Sequence, residues 1–203
     1  MGITMPTKIL QKEAPVLRQV ATPVPVQEIK SPKIKKVLAE MKEALNLQDD
    51  GVAIAAPQIG HSLRIFIVSH RVDEIISEAR ENRSKAKQEK IEGDVTFKPL
   101  PSNNLVFINP VMKKLSKERK SVEEGCLSVR YLYGQVKRST KATVVAFDEN
   151  GKKFERGGTG LIAQIFQHEM DHLDGVLFID KAQNIEEIFP EEYKKNAKSR
   201  KTK

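Results

Sequence analysis

The stretch Gln167-His168-Glu169-Met170-Asp171-His172 constrains this 203-residue chain most. Successive residues of an α-helix turn by about 100°, so His168 and His172 project within roughly 40° of one another and both imidazoles can reach one ion. Glu169 lies on the flank between them. There a carboxylate can touch a water on the ion without being a ligand, the arrangement of a general base beside a metal-activated water. The residues ahead, 159–166, are mostly apolar around the helix, which predicts burial on most sides. Two histidines on a buried helix need partners, and a metal supplies them. The plain alternative is a solvated histidine pair on an exposed face, which the apolar flank opposes. Thr159 is expected to cap the start of this helix, and Gly175 to take the left-handed conformation just past its last turn.

Two histidines leave the ion short of at least one protein ligand. The long His-Glu-x-x-His-x-x-Gly-x-x-His pattern of metzincin peptidases matches through Gly175 and then fails, because Phe178 stands where the third histidine belongs. A thermolysin-like site would draw on Glu186, Glu187, Glu191 or Glu192. A better candidate is Cys126, the single cysteine, in the turn-like Glu123-Glu124-Gly125-Cys126-Leu127-Ser128 ahead of an apolar run. A lone cysteine is otherwise a small buried hydrophobe.

Three separated motifs together resemble the peptide deformylase family: Gly51-Val52-Ala53-Ile54-Ala55-Ala56-Pro57-Gln58, Glu124-Gly125-Cys126-Leu127-Ser128 and Gln167-His168-Glu169-Met170-Asp171-His172. The similarity runs from about Ile9 to about Lys181. It implies hydrolytic removal of the formyl group from the formylmethionine that begins new polypeptides. The metal would be held by Cys126, His168 and His172, with water in the fourth position. Glu169 would act as general base and then acid, and the Gln58 amide and the Leu127 backbone N–H would stabilise the oxyanion. One Cys with two His suits zinc or ferrous iron rather than magnesium or calcium. The resemblance implies Fe(II) in the cell, with zinc, nickel or cobalt able to substitute. Val52, Ala53 and Gly125 are the implied substrate contacts, although Ala53 replaces a glycine usual in the family. The methionine pocket is expected along the helix face that carries His168, with Leu161 and Ile165 as its apolar wall. Gln164 on that face fits the wall poorly and is read as turning away. Residues 130–133, Arg-Tyr-Leu-Tyr, depart from the proline- and arginine-containing stretch expected there, a difference that bears on peptide selectivity.

The rest of the chain fits one α+β domain, with short antiparallel sheets around the metal-bearing helix. Residues 1–185 read as the catalytic domain and 186–203 as a C-terminal helix and basic tail. An extended arm over 9–26 carries several prolines. Ser31 and Pro32 open an amphipathic helix near 31–48, with Ile34, Val37, Leu38, Met41 and Leu45 at helical spacing. Strands are expected at 63–68, 105–111 and 142–147, with a basic hairpin-like segment through Lys120 and a turn at 148–151 whose return strand is 152–156. Residues 69–104 form a charged insertion, a solvated helix or mobile segment, with a lid or partner contact as the alternative. A short helix is expected beyond Asn184 from Ile185, Ile188 and Phe189.

With one cysteine, no disulfide can form within the chain, which fits a reducing compartment. No run of about 18 apolar residues predicts a membrane span, and no secretory signal opens the sequence. A cytoplasmic monomer is expected, or an organellar protein if a transit peptide has been removed. The net charge is +8, and residues 194–203 carry six Lys or Arg and no acid. They suggest a ribosome or RNA contact, or else a solubilising tail. Two rival readings are a zinc endopeptidase of the His-Glu-x-x-His type and an inactive ribosome- or RNA-binding module.

Overall fold

The computed structural model describes residues 7–77 and 104–189. Alternation along β2 (Ile65–Val68) sets the architecture, because successive side chains of a strand point to opposite faces. Phe66 and Val68 join one core cluster and Ile65 and Ile67 another, so both faces of this strand are buried. The neighbouring β3 (Leu105–Leu115) repeats the pattern, with Phe107 in the first cluster and Val106 and Ile108 in the second. These two strands lie inside a five-stranded antiparallel sheet of order β1-β2-β3-β6-β7, where β1 is Ala53–Ala55, β6 Lys141–Phe147 and β7 Lys153–Thr159.

One helix covers each face. α1 (Pro32–Asn46) supplies Ile34, Val37, Leu38, Met41 and Leu45 to the second cluster. Ser31 caps it, its hydroxyl oxygen accepting from the N–H of Ile34 at 3.3 Å, with Pro32 following. α2, residues 71–77, is a short helix that buries Val72. α3 (Leu161–Leu173) packs on the opposite face through Ile162, Ile165 and Phe166. Phe66 and Phe107 stack with centroids 4.4 Å apart, and Phe166 meets Phe107 edge-on at 5.2 Å. Such pairs add about 0.5–1.5 kcal/mol beyond their buried area, and here they fix the height of α3 over the sheet.

A second sheet has the order β4-β5-β8, with β4 Arg119–Cys126, β5 Val129–Ser139 and β8 Gln183–Glu187. Two expectations are corrected here. The segment through Lys120 is no hairpin: β3 pairs with β6 and β4 with β5, so the chain passes from one sheet to the other at 116–118. The helix expected beyond Asn184 is strand β8, paired with the edge of β5. All five of its residues are exposed, so no buried face imprinted a two-residue period on the sequence. Residues 190–203, with the basic tail, and residues 78–103 of the insertion lie outside the described residues. Among the described residues no helix is long and apolar enough to cross a membrane.

Both ends of α3 are fixed by backbone geometry. Thr159 does not cap it, because Thr159 is spent in the ladder opposite Lys141 and Gly160 occupies the cap position at φ +54° without a side-chain cap. At the other end Gly175 takes φ +73°, as expected, and the extended arm crosses there, Ala21 N–H donating to the Leu173 carbonyl at 2.9 Å. Two short 3-10 turns, at Pro15–Arg18 and Val26–Glu28, interrupt that arm. A Cβ on Gly175 would stand 2.9 Å from the backbone of Arg18. Gly175→Ala therefore combines backbone strain with a clash and should cost about 1–3 kcal/mol, read as a lower urea midpoint with an unchanged slope.

Candidate metal centre

β4 ends at Cys126 and α3 carries His168 and His172, and the packing of one against the other brings the three donors together. Their ligand atoms all lie within 4.8 Å of one another, the only such cluster among the described residues. Cys126 Sγ is 3.2 Å from His172 Nε2. Glu186 and Glu187, the alternative third ligands within the described residues, are exposed on β8 and outside this cluster.

The donors are oriented by a buried ionic network. Arg138, on β5, grips Glu124 through Nε and Nη2 at 2.7 and 2.9 Å and reaches Asp171 through Nη1 at 2.7 Å. Lys181 closes the other side of Asp171 at 2.6 Å. Burial pushes the Glu124 carboxyl upward, but its hydrogen bonds from Arg138 and His168 outweigh this and hold it at about 2. Glu124 is thus an acceptor only, so its 3.0 Å contact with His168 Nδ1 places the proton on that nitrogen. His168 Nε2 is left as the ligand atom. None of this was assigned from sequence. Glu124 sat within a quoted motif, but the chain gives no local sign that it meets Arg138, 14 residues away across a strand pair.

The donor set fits a divalent ion. Burial raises the Cys126 thiol, yet His172 and His168 beside it bring it down to about 5, so the sulfur is a thiolate near neutrality. Thiolate and two imidazoles are the ligands that zinc and ferrous iron prefer. Among the described residues, Glu169 Oε2 and His172 Nδ1 are buried without a hydrogen-bond partner. Burial raises the Glu169 carboxyl to about 7, the histidines pulling the other way. Through that oxygen the Glu169 carboxyl makes no hydrogen bond among the described residues that would help hold the fold together.

A cavity of about 220 Å³ opens over this cluster. Its lining brings together Val52, Ala53, Gly125 and Leu127 with Leu161 and Ile165 of α3, alongside Gln58, Cys126, His168 and Glu169. His172 is buried beside Cys126. Gln164 does not turn away: it lines the cavity and donates from Nε2 to the Glu123 carbonyl at 2.9 Å, tying α3 to β4. The amide is useful there because it satisfies backbone at the cavity rim. Gln58 accepts the Ala55 N–H at 2.7 Å and donates to Ser128 Oγ at 3.1 Å, which holds its Nε2 at 3.6 Å from Cys126 Sγ. Gln11, from the arm, donates to the Leu127 carbonyl and accepts the Arg130 N–H, fixing the turn that follows Cys126. The Tyr133 ring lies over Gly125, where a Cβ would stand 2.6 Å from it. Phe178, in place of a third histidine, stacks near His168 at 6.3 Å.

Glu124→Gln removes the charge that orients His168 and holds Arg138. Metal affinity should fall about 10–100-fold in competition with a chelator, and stability at pH 6 by on the order of 3 kcal/mol. The pH dependence follows from the lowered carboxyl. The stabilisation is complete above the ordinary value of 4.5 and is lost as pH falls towards about 2. Urea unfolding of the variant should accordingly change less than that of the parent between pH 4.5 and pH 2.

Residues 6–187 match the family model described as polypeptide deformylase. A tomato (Solanum lycopersicum) protein named peptide deformylase 1A, chloroplastic, is 38% identical over 173 residues, 85% of this chain and 58% of its own length. The chain thus spans somewhat over half of that plant relative. Peptide deformylase 2 of Clostridium acetobutylicum is 35% identical over 85% of this chain and 93% of its own. The crystal structure of an Acinetobacter baumannii peptide deformylase with Met-Ala-Ser bound superposes with a TM-score of 0.68 at 28% identity, covering 88% of this chain and 99% of that one. With the family model matched over nearly the whole chain and its three donors gathered beside the buried Glu169, the chain belongs to the polypeptide deformylase family.

Proposed function

We infer that this protein is a hydrolase that removes the N-terminal formyl group from formylmethionyl polypeptides. The observation that carries the reading is the convergence of Cys126, His168 and His172 beside Glu169, whose buried Oε2 has no partner among the described residues, at a cavity also lined by Leu161 and Ile165. Family membership supports the same reaction, and a relative with Met-Ala-Ser bound supports a peptide led by methionine.

A formamide is a poor electrophile and water a poor nucleophile near neutral pH. Cys126, His168 and His172 would hold a divalent ion, which when bound would supply Lewis acidity for the water and the formyl carbonyl. Glu169 takes the proton of the attacking water and returns it to the methionine nitrogen as the C–N bond breaks, leaving formate. Burial raises its carboxyl and a bound cation would lower it again, so the ion would govern when Glu169 is free to take the proton. The Gln58 amide, held by Ala55 and Ser128, and the Leu127 backbone N–H donate to the formyl oxygen as negative charge gathers there. Leu161 and Ile165 exclude water from the methionine side chain, and Val52, Ala53 and Gly125 bound the path of the peptide.

The same reading takes Fe(II) as the ion in the cell, with zinc, nickel or cobalt as substitutes, and a monomer working in the cytoplasm or an organelle. The basic tail of residues 194–203 is read as an attachment to the ribosome, where the substrates emerge.

Two measurements test this. Protein loaded anaerobically with Fe(II) should release formate from formyl-Met-Ala-Ser, and Glu169→Ala should lose at least about a hundredfold in kcat while keeping its metal; turnover surviving in the variant would remove Glu169 from its role. Deleting residues 194–203 should weaken co-sedimentation with ribosomes in low salt while formate release persists, and unchanged co-sedimentation would dismiss the tail.

A further inference from the structure

A second cavity, about 470 Å³, adjoins the first and shares Leu127 and Arg130 with it. The arm forms one side through Thr7, Lys8, Ile9 and Gln11, and Leu47 and Gln48 form the other. Arg130 stands at the junction. Its Nη1 donates to Asp50 at 2.6 Å and its Nη2 to Gln48 at 2.7 Å and to Asp50 at 3.2 Å. The loop bearing Gln48 and Asp50 is itself pinned, because the Arg71 guanidinium donates to the carbonyls of Leu45, Gln48 and Gly51.

The first cavity is smaller than the roughly 300 Å³ at which ordinary small-ligand pockets begin. It suits the leading residue of a peptide, and the chain behind that residue needs another path. The second cavity meets the first at Leu127 and Arg130 and offers one. Its charged lining residues, Lys8 and Arg130, are both cations, Arg130 being paired with Asp50 of the first cavity and Lys8 standing exposed. A guanidinium has five N–H donors, of which the Asp50 and Gln48 contacts use three, so among the described residues Arg130 keeps two for a further acceptor.

We propose that the second cavity receives the stretch of polypeptide following the methionine, and that Arg130, where the two cavities meet, is the specificity-determining residue favouring an acidic side chain in that stretch. The inference rests on the deformylation reading above.

The test uses Fe(II)-loaded protein with formyl-Met-Ala-Ser as the control and two extended peptides carrying Asp or Lys at the fourth and fifth positions. The Asp peptide should be preferred by roughly fivefold in kcat/KM at low salt, the scale of a partly exposed charge contact. Lys8→Glu, an exposed change that leaves the fold intact, and Arg130→Gln should each bring the ratio close to one. Turnover of the control with no preference in the parent would overturn the inference, as would a preference that survives in both variants. A preference seen only after residues 1–6 are removed would assign the cavity to the chain's own N-terminus and overturn it likewise. No turnover of any peptide, the control included, would overturn the deformylation reading and this inference with it.

Discussion

Arg138 is the residue on which the geometry of the centre turns. It sits on β5 and is almost wholly buried, holding Glu124 on β4 with one edge of its guanidinium and Asp171 on α3 with the other. Cys126 lies two residues beyond Glu124, and His168 and His172 flank Asp171. One planar, permanently charged group thereby sets the distance between the strand that ends in the thiolate and the helix that bears the imidazoles. Lysine could supply the charge there but not the fork. The same network continues into the first coordination sphere through Glu124 and His168 Nδ1, so orientation of the ligand and attachment of the sheet to the helix are a single arrangement.

Hydrogen bonds made by neutral amides complete that attachment. Gln167 accepts the Ser139 N–H at 2.9 Å and donates to the Ser139 and Ala163 carbonyls. Gln164 reaches Glu123, Gln58 bridges Ala55 and Ser128, and Gln11 ties the arm to Leu127. Each amide offers both donors and an acceptor, which lets it satisfy irregular backbone around a cavity where a ladder cannot run. The apolar clusters hold the two helices to the central sheet, and these amides decide how the second sheet meets them.

What could be read from the chain follows from how local each signal is. His168, Glu169 and His172 are visible because a helical turn brings them together, and α1 because Ser31, Pro32 and a four-residue apolar repeat coincide. The pairing of Cys126 with that helix became readable only through the family resemblance, since nothing in Glu124-Gly125-Cys126 specifies a partner more than 40 residues away. β8 was missed because an exposed edge strand carries no periodicity, and its two-residue register is imposed by β5. The cap at Thr159 failed for a tertiary reason, since that residue was already committed to the ladder with β6. Gln164 was misread because a wall was judged by side-chain polarity, without the backbone of β4 that needed a donor. Arg130 and Tyr133 stood out as departures, but their contacts with Asp50 and over Gly125 depend on a loop that no pattern places.

Charge balance gives the centre its remaining logic. Around it lie four groups that are anionic when ionised, Glu124, Asp171, Cys126 and Glu169, against the two cations Arg138 and Lys181. Arg138 and Lys181 compensate Glu124 and Asp171, which leaves the thiolate and the Glu169 carboxylate to be matched. Two buried negative charges beside one another are costly unless something opposes them. Without such an opponent Glu169 is driven towards its protonated form, which is the sense of its rise to about 7. A divalent ion supplies two positive charges at the centre of the donor set, and imidazoles add none when neutral. Thiolate, carboxylate and ion would then sum to zero, which would let the glutamate be ionised at the start of the proposed reaction and neutral once it had taken a proton. A third histidine in place of Cys126 would leave the site one positive charge in excess and Glu169 a weaker base, which is a physical reason for a cysteine to stand at the end of β4.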